Sequence, residues 1–183
     1  MYVVIYEMNV LPVSKQKLDA LCEDGFRLAV QILRHREDAM DAVHDSLQHW
    51  LDRPEAYDAA RGAARTWFLT VIRNRCLDVL RRRRRQPRES SLLEELRVTE
   101  NGPDEVSEVN ELRTLVQHML DGLEEPKKTI IILKDFQMLT YSEIAEVLSI
   151  PEGTVMSRLH RARLELRNKL VQHAPDTFIP WSG

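Results

Sequence analysis

The sequence predicts an all-α protein: two small helical domains, a helix bundle and a helix-turn-helix, joined by a flexible acidic linker. Three observations carry this. Aromatic residues make up 6% of the 183 positions while charged residues reach 30%, a balance that suits helical surfaces better than sheet. Apolar residues recur at helical spacing on both sides of a central break. The break, residues 86–108, holds Pro87, Gly102 and Pro103 and carries 2 cationic against 7 anionic side chains, the composition of a tether. The expected organisation is an extension over 1–14, a domain over 15–86, a linker over 87–108, a second domain over 109–172 and a tail over 173–183.

The net charge of −3 does not announce a nucleic-acid binder, but its distribution is uneven. Residues 1–85 carry 15 cationic against 12 anionic side chains, and residues 109–183 carry 9 against 10. Any polyanion must therefore be met by local patches. Cys22 and Cys76 form no CxxC pair, which points to a reducing cytoplasm and no disulfide framework. The scattered histidines, His44 and His49 included, lack a metal-like partner set, so no metal and no cofactor is expected. The opening apolar stretch lacks a cationic start and is too short to cross a bilayer, so no membrane insertion is expected.

In the first domain, Asp38–Leu51 is strongly amphipathic. Ala39, Val43, Leu47 and Trp50, with Met40 and Leu51, line one side; Asp41, Asp45 and Gln48 line the other, with Asp38 and His44 beside them. On its residues alone the polar side reads as a solvated acidic face. Arg53–Arg65 follows as a loop or short helix containing Pro54 and Gly62. The next helix, Trp67–Arg85, has Phe68, Val71, Ile72, Val79 and Leu80 as its seam, and Arg73, Asn74, Arg75 and the run Arg81–Arg85 as its polar face. Cations ending a helix complement its dipole; a polyphosphate partner explains five of them better, because each neutralised phosphate releases counterions.

In the second domain, Tyr141–Leu170 reads as two helices around a tight turn. Ser142 is a plausible N-cap for the first, without a full capping box, and Ile144, Ala145 and Leu148 are its buried side. Pro151 disfavours helix at Ile150 and can start the next helix, so Ser149–Pro151 marks the break. From Glu152 onward, Val155, Leu159, Ala162 and Leu166 fall on one stripe. Gly153, Ser157, His160 and Arg161 point the opposite way, with Thr154 and Arg158 on the flank. Arginine can read guanine bidentately, and small hydroxyls reach bases or phosphates. The pattern is a helix-turn-helix with DNA as its partner.

Both blocks together, WFLTVIRNRCLDVLRRRRR before the acidic tether and YSEIAEVLSIPEGTVMSRLHRARLELR after it, resemble the bacterial RNA polymerase sigma factors of the extracytoplasmic-function type. These have only a region 2 bundle and a region 4 helix-turn-helix. The resemblance spans roughly Leu18–Leu170, and EGTVMSRLHRARLELR is its most specific piece. It implies an alternative sigma factor that binds core RNA polymerase and directs initiation at promoters. Asp38, Asp41, His44, Asp45 and Gln48 would then dock on the clamp helices of the largest subunit, with a further contact of the protein to the flap. The Arg53–Arg65 loop would hold a base flipped from the minus-ten element, through Tyr57, Asp58 or Arg61. Arg65, Trp67, Arg73, Asn74 and Arg75 would grip the melted junction, although Trp67 is also a natural core residue. Thr154, Ser157, Arg158, His160 and Arg161 would read or grip the minus-thirty-five element.

The resemblance also implies a linker that threads toward the active centre, where its charge imitates RNA, against plain solvation of a tether. It implies an anti-sigma partner as well. Three departures stand out: Ser149 where the family often has Gly, Met156 where Lys or Arg is common, and His44 where Gln is frequent. A positive φ at Ser149 would cost about 1–2 kcal/mol.

An autonomous helix-turn-helix regulator is the alternative; it would bind inverted half-sites as a dimer without polymerase. An enzyme is not expected. The chain has no nucleophile motif and no phosphate-cradling glycine loop, and the pair Asp41/Asp45 sits on an exposed helix face.

Overall fold

The computed structural model describes residues 13–60, 62–85 and 108–173. Nearly all of the expected extension, tail and linker, with the linker's helical turn around Leu92–Leu96, lies outside them, as does Arg61. Every regular element among the described residues is helical, and the chain divides into two compact units.

The first unit packs three helices: α1 (Lys15–Leu33), α2 (Arg36–Asp52) and α3 (Ala64–Arg85), with a single 3-10 turn at Pro54–Ala56. Ser14 caps α1 by accepting from the Lys17 N–H at 3.4 Å. The helix ends at Arg34, whose φ of 56° is left-handed and whose N–H donates to the Val30 carbonyl at 2.9 Å, an αL cap. His35 starts α2 at once, its Nδ1 accepting from the Asp38 N–H at 3.3 Å. Leu28, Ile32, Leu47, Trp50, Phe68 and Ile72 form the centre of the core, each stabilising by about 1.5–3 kcal/mol through burial. Gly25 lies against α3: a β-carbon there would meet Ile72 Cδ1 at 2.2 Å and Phe68 Cε1 at 3.3 Å. Neither Cys22 nor Cys76 is in a disulfide; burial, with Asp19 nearby, pushes the Cys22 thiol up to about 11.

The buried arcs differ from the expected ones at their edges. On α2 the arc is Ala39, Ala42, Val43, Ser46, Leu47 and Trp50, while Met40 is 54% exposed and Leu51 half-buried. Met40 and Leu51 sit a quarter-turn or more from the centre of an arc pressed by both α1 and α3. Ser46 can be buried because its hydroxyl donates to the Ala42 carbonyl at 2.6 Å. On α3 the helix begins at Ala64, and Leu69 and Cys76 join Phe68 and Ile72 in the core; Val71, Val79 and Leu80 are half-buried.

The second unit comprises α4 (Glu108–Asp121), α5 (Glu125–Ile131) continued by a π-helical turn (Ile132–Phe136), α6 (Tyr141–Leu148) and α7 (Glu152–His173). Ile130, Ile131, Ile132, Leu133, Leu139, Ile144, Val147, Val155, Leu159 and Ala162 are its core. Lys128, nearly buried, is neutralised by Asp121 at 2.8 Å, as a buried ammonium requires.

The helix-turn-helix is present with two local revisions. The cap of α6 is Thr140 rather than Ser142. Thr140 Oγ1 accepts from the Glu143 N–H at 3.2 Å, and Glu143 accepts from the Thr140 N–H at 2.8 Å, a complete capping box shifted from the expected register. The inner face is Ile144 and Val147; Ala145 and Leu148 are half-buried. After α6, the Ser149 N–H donates to Glu146 at 3.1 Å and the Ile150 N–H to Ala145 at 3.0 Å. That pair of bonds is a Schellman motif. Its left-handed position, φ 52°, is filled by Ser149 instead of glycine.

Candidate functional site

The outward face of α7 is built by what clamps its inward face. Val155, Leu159 and Ala162 are buried; Leu166 is half-buried and Leu170 continues the seam. Two ion pairs fix the helix edges: Glu165 with Lys127 of α5 at 2.7 Å, and Arg163 with Asp135 of the π-helical turn. Hydrogen bonding to Asp135 pushes the Arg163 guanidinium further above its already high range. Arg163 is thus engaged within the unit, whereas Ser157, Arg158, His160 and Arg161 are exposed and Thr154 is half-buried. Two of them bond to their own helix: Ser157 Oγ donates to the Thr154 carbonyl at 3.1 Å, and Arg161 Nε to the Ser157 carbonyl at 3.2 Å. A β-carbon on Gly153 would meet nothing within 4 Å, and Met156 is 56% exposed beside it. The five residues expected to meet DNA share one rigid, accessible helix.

The first unit holds its candidates differently. Asp41, His44, Asp45 and Gln48 are exposed on α2. Gln48 donates to Asp52 at 2.8 Å, and Asp45 lies 3.6 Å from Arg75 of α3. Asp38 is half-buried and takes Arg83, which also donates to the Leu33 carbonyl at 3.1 Å. One of the five run arginines is therefore a brace at the junction of α1 and α2. Arg65 Nε donates to Asp24 of α1 at 2.6 Å. Burial pushes the Asp24 carboxyl up, but hydrogen bonds and charge from Arg65 and Arg27 outweigh it and hold it below the usual range. Arg73 donates to its neighbour Asn74 at 3.1 Å.

Tyr57 sits in an aromatic cluster. Its ring centroid is 5.5 Å from Trp50 in an edge arrangement and 5.6 Å from Trp67; the two tryptophans are 4.9 Å apart. Its hydroxyl donates to the Gly62 carbonyl at 3.3 Å, and Asp58 Oδ1 accepts from the Ala60 N–H at 2.9 Å. Trp50 is fully buried, and its Nε1 has no hydrogen-bond partner among the described residues. That costs about 1–3 kcal/mol, set against ring packing of about 0.5–1.5 kcal/mol per pair. Trp67, half-buried, contributes to this cluster. Sequence periodicity missed Asp24 and the inward turn of Arg83, because their partners lie 41 and 45 residues away along the chain.

Comparison with known proteins gives these surfaces a context. The family described as "Sigma-70 region 2" matches residues 24–86, and "Sigma-70, region 4" matches residues 113–166. The RNA polymerase sigma factor YlaC of Bacillus subtilis is 32% identical over 148 residues, covering 79% of this chain and 84% of that protein. The chain belongs to the ECF RNA polymerase sigma factors.

 

The alignment with YlaC runs over 148 residues. The ECF RNA polymerase sigma-E factor of Haemophilus influenzae aligns over 146 at 31% identity, covering 74% of this chain and 76% of that protein. Among solved structures, the sigma factor RpoE in complex with the anti-sigma factor NepR from Bartonella quintana superposes with a TM-score of 0.68 over 85% of this chain and 95% of that one. At 22% identity that likeness speaks for the fold. The protein is an alternative sigma factor that directs transcription from promoters, and the autonomous regulator is not favoured. Its two domains imply core RNA polymerase and promoter DNA as partners. Among the described residues, no helix is long and apolar enough to cross a membrane.

Proposed function

We propose that the two units of this sigma factor divide promoter recognition and polymerase docking between named residues. In α7, Ser157, Arg158, His160 and Arg161 read or grip the minus-thirty-five element in the major groove, with Thr154 on phosphate. In the first unit, Arg73, Asn74 and Arg75 grip strands near the melted junction, and the loop around Asp58 and Arg61 holds the flipped minus-ten base. Asp41, His44, Asp45 and Gln48, with Asp38 at their edge, dock on the clamp helices of the polymerase's largest subunit; the flap is a further contact. The observation that carries the reading is the accessible face of α7, exposed while its opposite side and edges are clamped by core and ion pairs. Recognition needs a face held rigid before DNA arrives, because ordering it on contact would subtract from affinity.

Residues 87–108 are proposed as the linker between domains at 15–86 and 109–172. Its charge would imitate nascent RNA, so neutralising Glu94, Glu95, Glu100, Asp104 and Glu105 together should change abortive initiation or promoter escape. An anti-sigma protein covering the acidic α2 face or α7 is proposed by likeness to the RpoE complex. The chain itself carries out no catalysis in this scheme; that belongs to the polymerase. Run-off transcription with purified bacterial core polymerase, with and without this protein, tests the whole reading. Promoter-specific transcripts should appear only with it, and failure to associate with core while binding operators unaided would overturn it.

A further inference from the structure

We infer that Tyr57 is a positioning residue of the minus-ten loop: it ties Gly62 to the aromatic core and leaves contact with the flipped base to other groups. The inference rests on the minus-ten reading above and changes the part Tyr57 plays within it.

A residue that stacks on an incoming base needs a ring face it can offer. The Tyr57 ring is half-buried and already placed against two others, Trp50 at 5.5 Å and Trp67 at 5.6 Å. Those two form a rigid platform, because Trp50 is fully buried and also packs on Phe68 at 5.8 Å. Swinging Tyr57 out would abandon both ring contacts together. It would also break the hydroxyl's bond to the Gly62 carbonyl at 3.3 Å. That bond joins residues five apart in the sequence, so one side chain rooted in the core ties the start of the loop to its end. Between them, the Asp58 carboxylate accepts from the Ala60 N–H at 2.9 Å and shapes the chain locally as an Asx turn.

Extracting a base from the stack costs a few kcal/mol. A loop whose two ends are already tied returns more of that cost than one whose ends must first be brought together. The anchor therefore acts on discrimination between minus-ten sequences, and the polymerase-docking face of α2 does not depend on it.

The test uses the full-length protein with the single change Tyr57→Phe, which keeps the ring in its cluster and removes only the hydroxyl. Holoenzyme is assembled with core RNA polymerase, and open-complex formation is timed on a cognate promoter and on one with the minus-ten bases changed. Thermal unfolding and affinity for core are measured beside it. The cognate-to-changed rate ratio should fall about three- to tenfold, the size of one lost hydrogen bond. Core affinity should stay within twofold and the fold should remain intact. An unchanged ratio overturns the inference, whether or not core affinity shifts. A wild-type holoenzyme indifferent to the minus-ten sequence overturns instead the reading on which the inference stands.

Discussion

The two units hold their candidate residues in opposite ways. On α7 all the candidates but half-buried Thr154 are exposed, and Ser157 and Arg161 bond to carbonyls of their own helix. In the first unit they are woven into the fold: Arg65 into Asp24, Arg83 into Asp38, Arg75 toward Asp45, and Tyr57 into two tryptophans. A recognition helix can thus be edited with little effect on stability, whereas edits to the first unit change stability and recognition together. The difference follows from what each unit is proposed to meet. A helix entering an intact groove needs a protruding face, while a loop receiving a single base needs a shaped one.

Four measurements break or sharpen this contrast. Arg161→Ala has the largest expected effect: a loss of ~1–3 kcal/mol of discrimination between cognate and scrambled minus-thirty-five DNA, with stability within about 0.5 kcal/mol of the parent. Comparable losses on both DNAs would show that Arg161 only neutralises charge. Arg65→Ala, its counterpart in the first unit, should lower unfolding stability by about 1–2 kcal/mol, since the partly buried Asp24 carboxylate loses a donor. Denaturant midpoints indistinguishable from the parent would remove that brace from the account.

Ser149→Gly should raise the stability of the second unit by about 1 kcal/mol by relieving a left-handed non-glycine residue. An unchanged or lower midpoint would mean that serine tolerates the Schellman position without strain. The smallest effect is on pH. The Asp24 carboxyl titrates below its unfolded value, so its contribution is present above the usual carboxylate pKa of about 3.9 and is lost as pH falls through the lower folded value. Asp24→Asn should therefore flatten the acid limb of the stability profile and change its slope little above about pH 5. Parallel acid limbs for parent and variant would contradict this.

How much of this was legible in the sequence follows the same division. The α7 face was readable because helical spacing alone decides which way Val155 and Ser157 point, and Pro151 marks the break before it. The positive φ at Ser149 was foreseeable from the turn. The register of the α6 cap was not: Thr140 and Ser142 are both competent caps, and the position of Glu143 three residues after Thr140 decides between them. Nor was the exposure of Met40, which depends on which helices press on α2. The ties of Arg65 and Arg83 were hidden for a stronger reason. A pairing across helices is set by how α1, α2 and α3 cross, and no local period encodes that crossing. The part of Tyr57 was half-legible: an aromatic in a promoter loop suggests stacking, but only the placement of Trp50 and Trp67 reveals that the ring is already occupied.

The bare notch at Gly25 offers a handle on the living cell. An alanine there is a wedge of a single methyl driven toward Ile72 and Phe68, which are themselves fully enclosed, and overfilling of that kind costs about 1–3 kcal/mol. Against the few kcal/mol by which a small bundle holds together, such a wedge makes a heat-sensitive allele. Cells carrying it would transcribe the regulon when cool and silence it on warming, with the α7 surface untouched.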